Sequence, residues 1–344
     1  MAKERARFLD MFKVMLVVGM VLCHVIQLTG PRGKGLPFGI AQFINLITFS
    51  GFLFCFGFAV GIAYFGKTKR QVRRNFAINC SKALAAFYIS GIAYETLLSS
   101  SSFNLKVLLQ ILVFYHLPGY SEFLASFFAL DLLTWVFFNQ LKALSQSKPA
   151  IVVFVLISLA ATFLPYQLVQ PNQLGILIGS THVITFPVLQ YFGYYIMGIY
   201  FQQHKVVLNK IFLPIAILCS ALFVGYVIWV KDVPGRFPPS IFWIVGAAGF
   251  LYGYYLLARK ISSVIKKDNP LYFIGENTLF FLVLSNLIIF AIRAASPIRF
   301  NLPASFLMDA VILLFCYMVI YLIRRAQKML ALHGAPYADK TRAK

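Results

Sequence analysis

The stretch LDMFKVMLVVGMVLCH, Leu9 to His24, places an Asp, a Lys and a His in a run that otherwise reads as membrane-spanning. An ionisable side chain at the centre of a membrane helix costs about 2.5–3.5 kcal/mol on insertion scales, so such residues face protein and are candidates for function. On a helix turning about 100° per residue, Lys13 and His24 fall within about 20° of one face, and Asp10 lies about 40° to the other side of His24. The three form one polar stripe. A rise of about 1.5 Å per residue separates Lys13 from His24 by roughly 16 Å. Lys13 thus marks one membrane boundary and His24 lies past the middle. Taken alone, Asp10 and Lys13 read equally well as an interfacial pair that snorkels. His24 reads as a functional residue facing the bundle interior, against the alternative of a core histidine bonded to a neighbouring backbone group or Ser.

The rest of the chain agrees with a membrane reading. Of its 344 residues 60% are hydrophobic and only 12% charged, against about 25% charged in soluble domains. The net charge of +21 does not signal nucleic-acid binding, because the basic residues sit in short clusters between apolar runs and form no aromatic-basic stripe. Cys23, Cys55, Cys80, Cys219 and Cys316 all lie in apolar segments without a CxxC pair, and read as small core residues. The five His and ten acidic residues show no ligand spacing, so no metal is expected. The N-terminus resembles a signal peptide but lacks a small-residue cleavage site, and reads as a retained first helix.

The fold expected is an all-α bundle of about ten transmembrane helices. A span needs about 20 apolar residues, and candidates cover 12–29, 39–65, 76–98, 122–141, 150–169, 184–202, 211–230, 241–258, 271–292 and 304–323. Leu105 to Leu117 is too short and is expected to lie on the outer surface or re-enter. With the N-terminus inside, cytoplasmic pieces hold Lys3, Arg5 and Arg7; the KTKRQVRR loop; Lys142, Lys148, Lys205 and Lys210; Arg259, Lys260, Lys266 and Lys267; and Arg324, Arg325, Lys328, Lys340, Arg342 and Lys344. Outer pieces hold only Arg32, Lys34, Lys106, Lys231, Arg236, Arg293 and Arg299. This asymmetry predicts both termini in the cytoplasm. Residues 1–325 read as a single transmembrane domain and 326–344 as a short cytoplasmic tail. The outer loops PRGKGLP and KDVPGRFPPS read as turns, Ser99 to Ser102 as an outer loop, and the GxxxG at Gly57–Gly61 as a close helix contact.

The spacing Asp10-x-x-Lys13-x10-His24 resembles the first helix of acyltransferase family 3, integral-membrane enzymes that acylate envelope glycans and related molecules. FSGFLFCFGFAVG, Phe49 to Gly61, is similar to that family's aromatic-SGF segment, and Arg70-x-x-Arg73 to its basic R-x-x-R after the second helix. NPLYFIGENTLFFLVLSN, Asn269 to Asn286, resembles its penultimate helix. Lys13 stands where the family has Arg, and Asn286 near where many members carry His.

The resemblance implies a multi-pass enzyme of the cell (inner) membrane. It would move an acyl group, acetyl or longer, from cytoplasmic acyl-CoA to a hydroxyl of a glycan or lipid-linked acceptor. Acyl-CoA is then a donor substrate, and no cofactor is held permanently. Membrane lipids surround the protein, and nucleic acid is not a partner. Acyl transfer to a hydroxyl needs a base, and His suits it because its pKa lies near neutrality. The expected catalytic group is His24 with Asp10 and Asp131, the latter near mid-span with Trp135 one turn along. Lys13, Arg70, Arg73 and Arg74 are the expected donor-phosphate ligands, because guanidinium forks match phosphate. Positive-inside topology alone would also explain that loop. Glu95, His116, Glu122 and Asn286 are candidates to line the acceptor pocket, with His182 and Asp309 also near the outer surface. Glu122 and Asp131 lie about 180° apart on a helix and cannot form a same-face pair. Two other readings stay open: a transporter or flippase for an envelope precursor, and a non-catalytic partner in envelope assembly.

Overall fold

The computed structural model describes residues 6–99, 103–266 and 268–334. The positions Lys3, Arg5, Lys267, Lys340, Arg342, Lys344 and Ser100 to Ser102 lie outside the described residues, as does 335–344 of the expected tail. Among the described residues the secondary structure is helical, with no strand. The helices are α1 (Arg7–Thr29), α2 (Leu36–Ala63), α3 (Lys69–Leu97), α4 (Leu105–Leu112), α5 (Glu122–Val136), α6 (Phe138–Leu144), α7 (Lys148–Ala160), α8 (Gly175–Ile178), α9 (Val188–Gln203), α10 (Phe212–Val230), α11 (Ile241–Val264), α12 (Leu271–Glu276), α13 (Thr278–Ala295) and α14 (Leu302–Gly334). Polar caps mark several starts, including a Thr68–Gln71 capping box on α3 and side-chain caps from Asn104, Ser147 and Ser240.

Helix α1 is the axis of the bundle. It packs against α2, α11, α12, α13 and α14, which is why a helix carrying three ionisable side chains is also the most deeply buried one. Helices α2 and α9 meet backbone to backbone. A Cβ on Gly57 would strike the Tyr195 carbonyl, and one on Gly198 the Phe54 carbonyl. Small residues allow this approach in lipid, where packing rather than water expulsion holds helices together. The periphery is apolar and exposed: Leu218, Leu222, Ile228 and Trp229 on α10, and Leu307, Leu314 and Leu322 on α14. Such faces belong in hydrocarbon.

Seven helices among the described residues are long and apolar enough to cross a membrane, or eight if α5 and α6, bent by 84°, form one span. The sequence predicts ten. The three expected spans missing from the seven are the bent α5–α6 pair, α7 and α9. Helix α7 has 13 residues and α9 has 16, about 20 and 24 Å of rise against a hydrocarbon core of about 30 Å. Pro165 and Pro171 keep the chain after α7 irregular. The expected span 271–292 keeps a membrane-length helix, α13, but is interrupted at Asn277, with the short α12 before the break. There the Asn277 side-chain amide donates to the Phe273 carbonyl, and its oxygen accepts from Arg324 Nη2 at 2.9 Å. The helical part of the chain also outlasts expectation, since α14 continues through 326–334.

Candidate functional site

Helix α1 brings His24 close to its C-terminal end, and that end is held from outside. The Gly30 amide donates to the Ile26 carbonyl, the Thr29 hydroxyl to the Val25 carbonyl, and Arg299 Nη1 to the Leu28 carbonyl at 2.9 Å. A cation on the last carbonyls of a helix satisfies orphan acceptors and complements its dipole. The last turn of α1 is thereby fixed, and His24 with it.

The His24 ring is gripped by two other segments, one of which is braced by a third. Its Nδ1 lies 2.7 Å from Oδ1 of Asn286 on α13. The Asn286 amide nitrogen donates to the Ser90 hydroxyl of α3 at 3.3 Å and to the Tyr120 carbonyl at 3.2 Å. A carbonyl can only accept, so the Asn286 nitrogen must face Tyr120 and its oxygen must face His24. Nδ1 is therefore the protonated nitrogen, and Nε2 carries the lone pair. The Tyr120 ring meets the imidazole edge to face at 4.9 Å. Tyr120 has φ 61°, a left-handed conformation that costs a bulky residue roughly 1–3 kcal/mol. It turns the Tyr120 carbonyl to Asn286 and its ring to His24.

His24 lines a cavity of about 240 Å³. The wall comes from α1 (Cys23, Gln27), α2 (Asn45, Thr48, Phe49), the start of α5 (Tyr120, Glu122, Phe123) and loop residues Phe186, Arg236 and Phe237. All these loops lie at the end of the bundle where α1 finishes. The wall mixes aromatic faces with a few convergent polar groups, the usual make-up of a small-molecule site. Among the described residues His24 Nε2 takes no hydrogen bond, so an acceptor nitrogen of fixed tautomer faces this space.

The other expected site residues fall elsewhere. Asp10 and Lys13 form an ion pair of 2.7 Å at the opposite end of α1, where Gly275 of α12 packs on the Asp10 backbone. Arg70, Arg73 and Arg74 are exposed on the first turns of α3 and do not line the cavity. Glu95 is buried and pairs with His116 Nε2 at 2.8 Å, outside the cavity wall. Of the expected acceptor-side residues, Glu122 alone is on the wall; Asn286 stands behind His24, fully buried. Asp131 is buried on α5 with Oδ1 unpartnered, so no Lys, Ser or Tyr satisfies that oxygen. It sits about 14 Å along the helix from Glu122 and is not a wall residue. Asp309 on α14 is also buried with an unpartnered Oδ1. Among the described residues no three His, Cys, Asp or Glu side chains come together as metal ligands.

Gln27, Asn45, Tyr120 and Arg236 belong to the site and are not singled out by sequence. Arg236 alone carried a signal, as a cation on the side where basic residues are scarce. No protein-family model matches the chain, and no curated protein is significantly similar to it. What the fold defines is a multi-pass helical membrane protein with a histidine-lined cavity at one end.

Proposed function

We propose that the protein is a membrane O-acyltransferase related to acyltransferase family 3, with His24 as the general base. The observation that carries the reading is the Asn286–His24 pair, which presents Nε2 to the cavity while the Nδ1 proton is occupied. In the reaction an acceptor hydroxyl oxygen attacks the carbonyl carbon of an acyl-CoA thioester, and Nε2 takes the hydroxyl proton. The new C–O bond forms, the C–S bond breaks, and the imidazolium returns the proton to the leaving thiolate, giving an ester and free coenzyme A. A positioned base of this kind contributes about 10²–10⁴-fold.

The chain on this reading crosses the inner membrane ten times, with short α7 and α9 as crossings and both termini in the cytoplasm. Donor phosphates would meet Lys13, Arg70, Arg73 and Arg74 at the cytoplasmic end. The acyl group would reach His24 along α1, and a glycan or lipid-linked hydroxyl would enter from the outer end. The test is release of free coenzyme A and transfer of labelled acetyl to envelope lipids or glycans by the purified chain in nanodiscs. His24→Ala is expected to remove transfer with the thermal unfolding profile retained. Full transfer by that variant refutes the assignment.

A second reading, transport, is favoured by one observation: Asp131 and Asp309 are buried carboxyls with an oxygen left unpartnered, a feature of proton-coupled carriers. Accumulation of an envelope precursor in sealed vesicles without covalent change would select it.

A further inference from the structure

Two hydrogen-bond donors on the wall of the His24 cavity have no partner. Arg236 stands in the loop 231–240, half-buried, with its guanidinium 4.3 Å over the Phe237 ring. Among the described residues it makes no ion pair and no hydrogen bond. It is nonetheless near enough to act electrostatically on Cys23, His24, Tyr120 and Glu122. Asn45 of α2 has its oxygen engaged by the Cys23 thiol at 3.3 Å, while its Nδ2 is buried and unpartnered. Both residues line the same cavity. The one carboxyl on the wall, that of Glu122, is faced by the backbone amides of Tyr120, Ser121 and Glu122 itself, and Glu122 forms no ion pair with Arg236 among the described residues.

A half-buried guanidinium without a hydrogen-bond partner offers, by its planar fork, two parallel N–H groups to a phosphate or carboxylate. A buried amide N–H without an acceptor costs about 1–3 kcal/mol. An oxyanion has several lone pairs and can accept from more than one such donor. We propose that Arg236 and Asn45 form an oxyanion-binding site inside the His24 cavity. Joined to the acyl-transfer reading, on which this step rests, the site specifies the acceptor: a hydroxyl compound that also carries a phosphate or carboxylate. The anion lies on Arg236 and the hydroxyl on His24 Nε2. The aromatic faces of Phe49 and Phe123 take the apolar part.

The test is binding, measured without any acyl donor. The full chain in phosphatidylcholine nanodiscs is titrated with inorganic phosphate by calorimetry at low salt. Phosphate is expected to bind, with affinity about tenfold or more weaker in Arg236→Gln and Asn45→Leu and intermediate in Arg236→Lys, which keeps the charge but loses the fork. No binding by the parent chain overturns the proposal, and so does equal affinity in the parent and both Arg236 variants. Should Arg236→Gln fail to fold, the Lys variant still decides. Repeating the titration in nanodiscs with phosphatidylglycerol separates two sources of the oxyanion. Weaker phosphate binding that depends on Arg236 marks a lipid headgroup as occupant, and unchanged binding marks a soluble anion. Phosphate binding in a chain that transfers no acyl group would leave this site standing and remove the enzyme. Acyl transfer without Arg236-dependent binding would do the reverse.

Discussion

Asn286 accepts a hydrogen bond from His24 Nδ1 across 2.7 Å, and is itself oriented by donating to the Tyr120 carbonyl. An amide can be reversed without a visible change in shape. Here a partner that only accepts removes that freedom, and the imidazole tautomer follows. The residue that departs from the family resemblance thus supplies what a base histidine needs behind it, an acceptor for its distal proton.

Replacing Asn286 tests that role directly. Asn286→Leu removes the acceptor and leaves His24 free to swap tautomers, so turnover is expected to fall by roughly 10²-fold, the lower end of what a positioned base contributes. Asn286→Asp retains an acceptor for Nδ1 but loses the N–H that meets the Tyr120 carbonyl, and is expected to recover only part of the loss. Steady-state kinetics should place the effect in kcat with KM for the acyl donor little changed. A fall confined to KM would contradict the positioning role.

Asp131 separates enzyme from carrier. Its unpartnered, buried oxygen is a cost that the folded state bears. Asp131→Asn should therefore leave the melting temperature in nanodiscs equal or higher, and on the acyl-transfer reading activity is retained, because the residue is off the cavity wall. Loss of activity with unimpaired stability would restore Asp131 to the functional group.

The α2–α9 contact predicts a packing defect. Gly198→Ala pushes a methyl group into the Phe54 carbonyl, and Gly57→Ala one into the Tyr195 carbonyl. Backbone cannot move aside as a side-chain end can, so each change is expected to cost about 1–3 kcal/mol. Thermal unfolding reads this. Gly225→Ala, where a Cβ meets nothing within 4 Å, serves as the control and should be silent.

The loop that carries Arg236 has a pH dependence of known sign. Lys34 Nζ lies 2.9 Å from Asp232 Oδ2 and, with the Val233 amide, holds the Asp232 carboxyl below its usual range. A depressed carboxylate stabilises above its unfolded pKa, and that contribution disappears as pH falls through the lower, folded value. The protection factors of amides in residues 231–240 are accordingly expected to be flat from neutral pH down to about pH 4 and to fall below it. Lys34→Ala should reduce that step, the Val233 amide remaining, and salt should weaken it, since the pair is exposed.

Of the residues expected at the site, His24 and Glu122 line the cavity. Ionisable groups stand out in an apolar run, so His24, Asp10 and Lys13 were legible, and their shared helix predicts that they face protein. The tie from His24 to Asn286 was not legible, because 262 positions separate them and periodicity reports only local faces. The break at Asn277 was hidden for a related reason. Apolar residues continue on both sides of it, and what holds it is Arg324, a residue of another helix. Arg236 lies in KDVPGRFPPS, where Pro and Gly announce a turn and conceal that the turn folds inward. The short α7 and α9 were read as full spans because hydropathy measures composition, and composition does not reveal where a helix stops.

Tyr120 has a further consequence. With its carbonyl on Asn286 and its ring on His24, it makes the segment before α5 part of the support of the imidazole, not a cover that can be lifted and replaced. Peeling that segment back would unlatch the amide and let the imidazole spin. Among the described residues the loop 231–240, which brings Arg236 to the same wall, makes no hydrogen bond to His24, Asn286, Ser90 or Tyr120, so it can shift without releasing the ring.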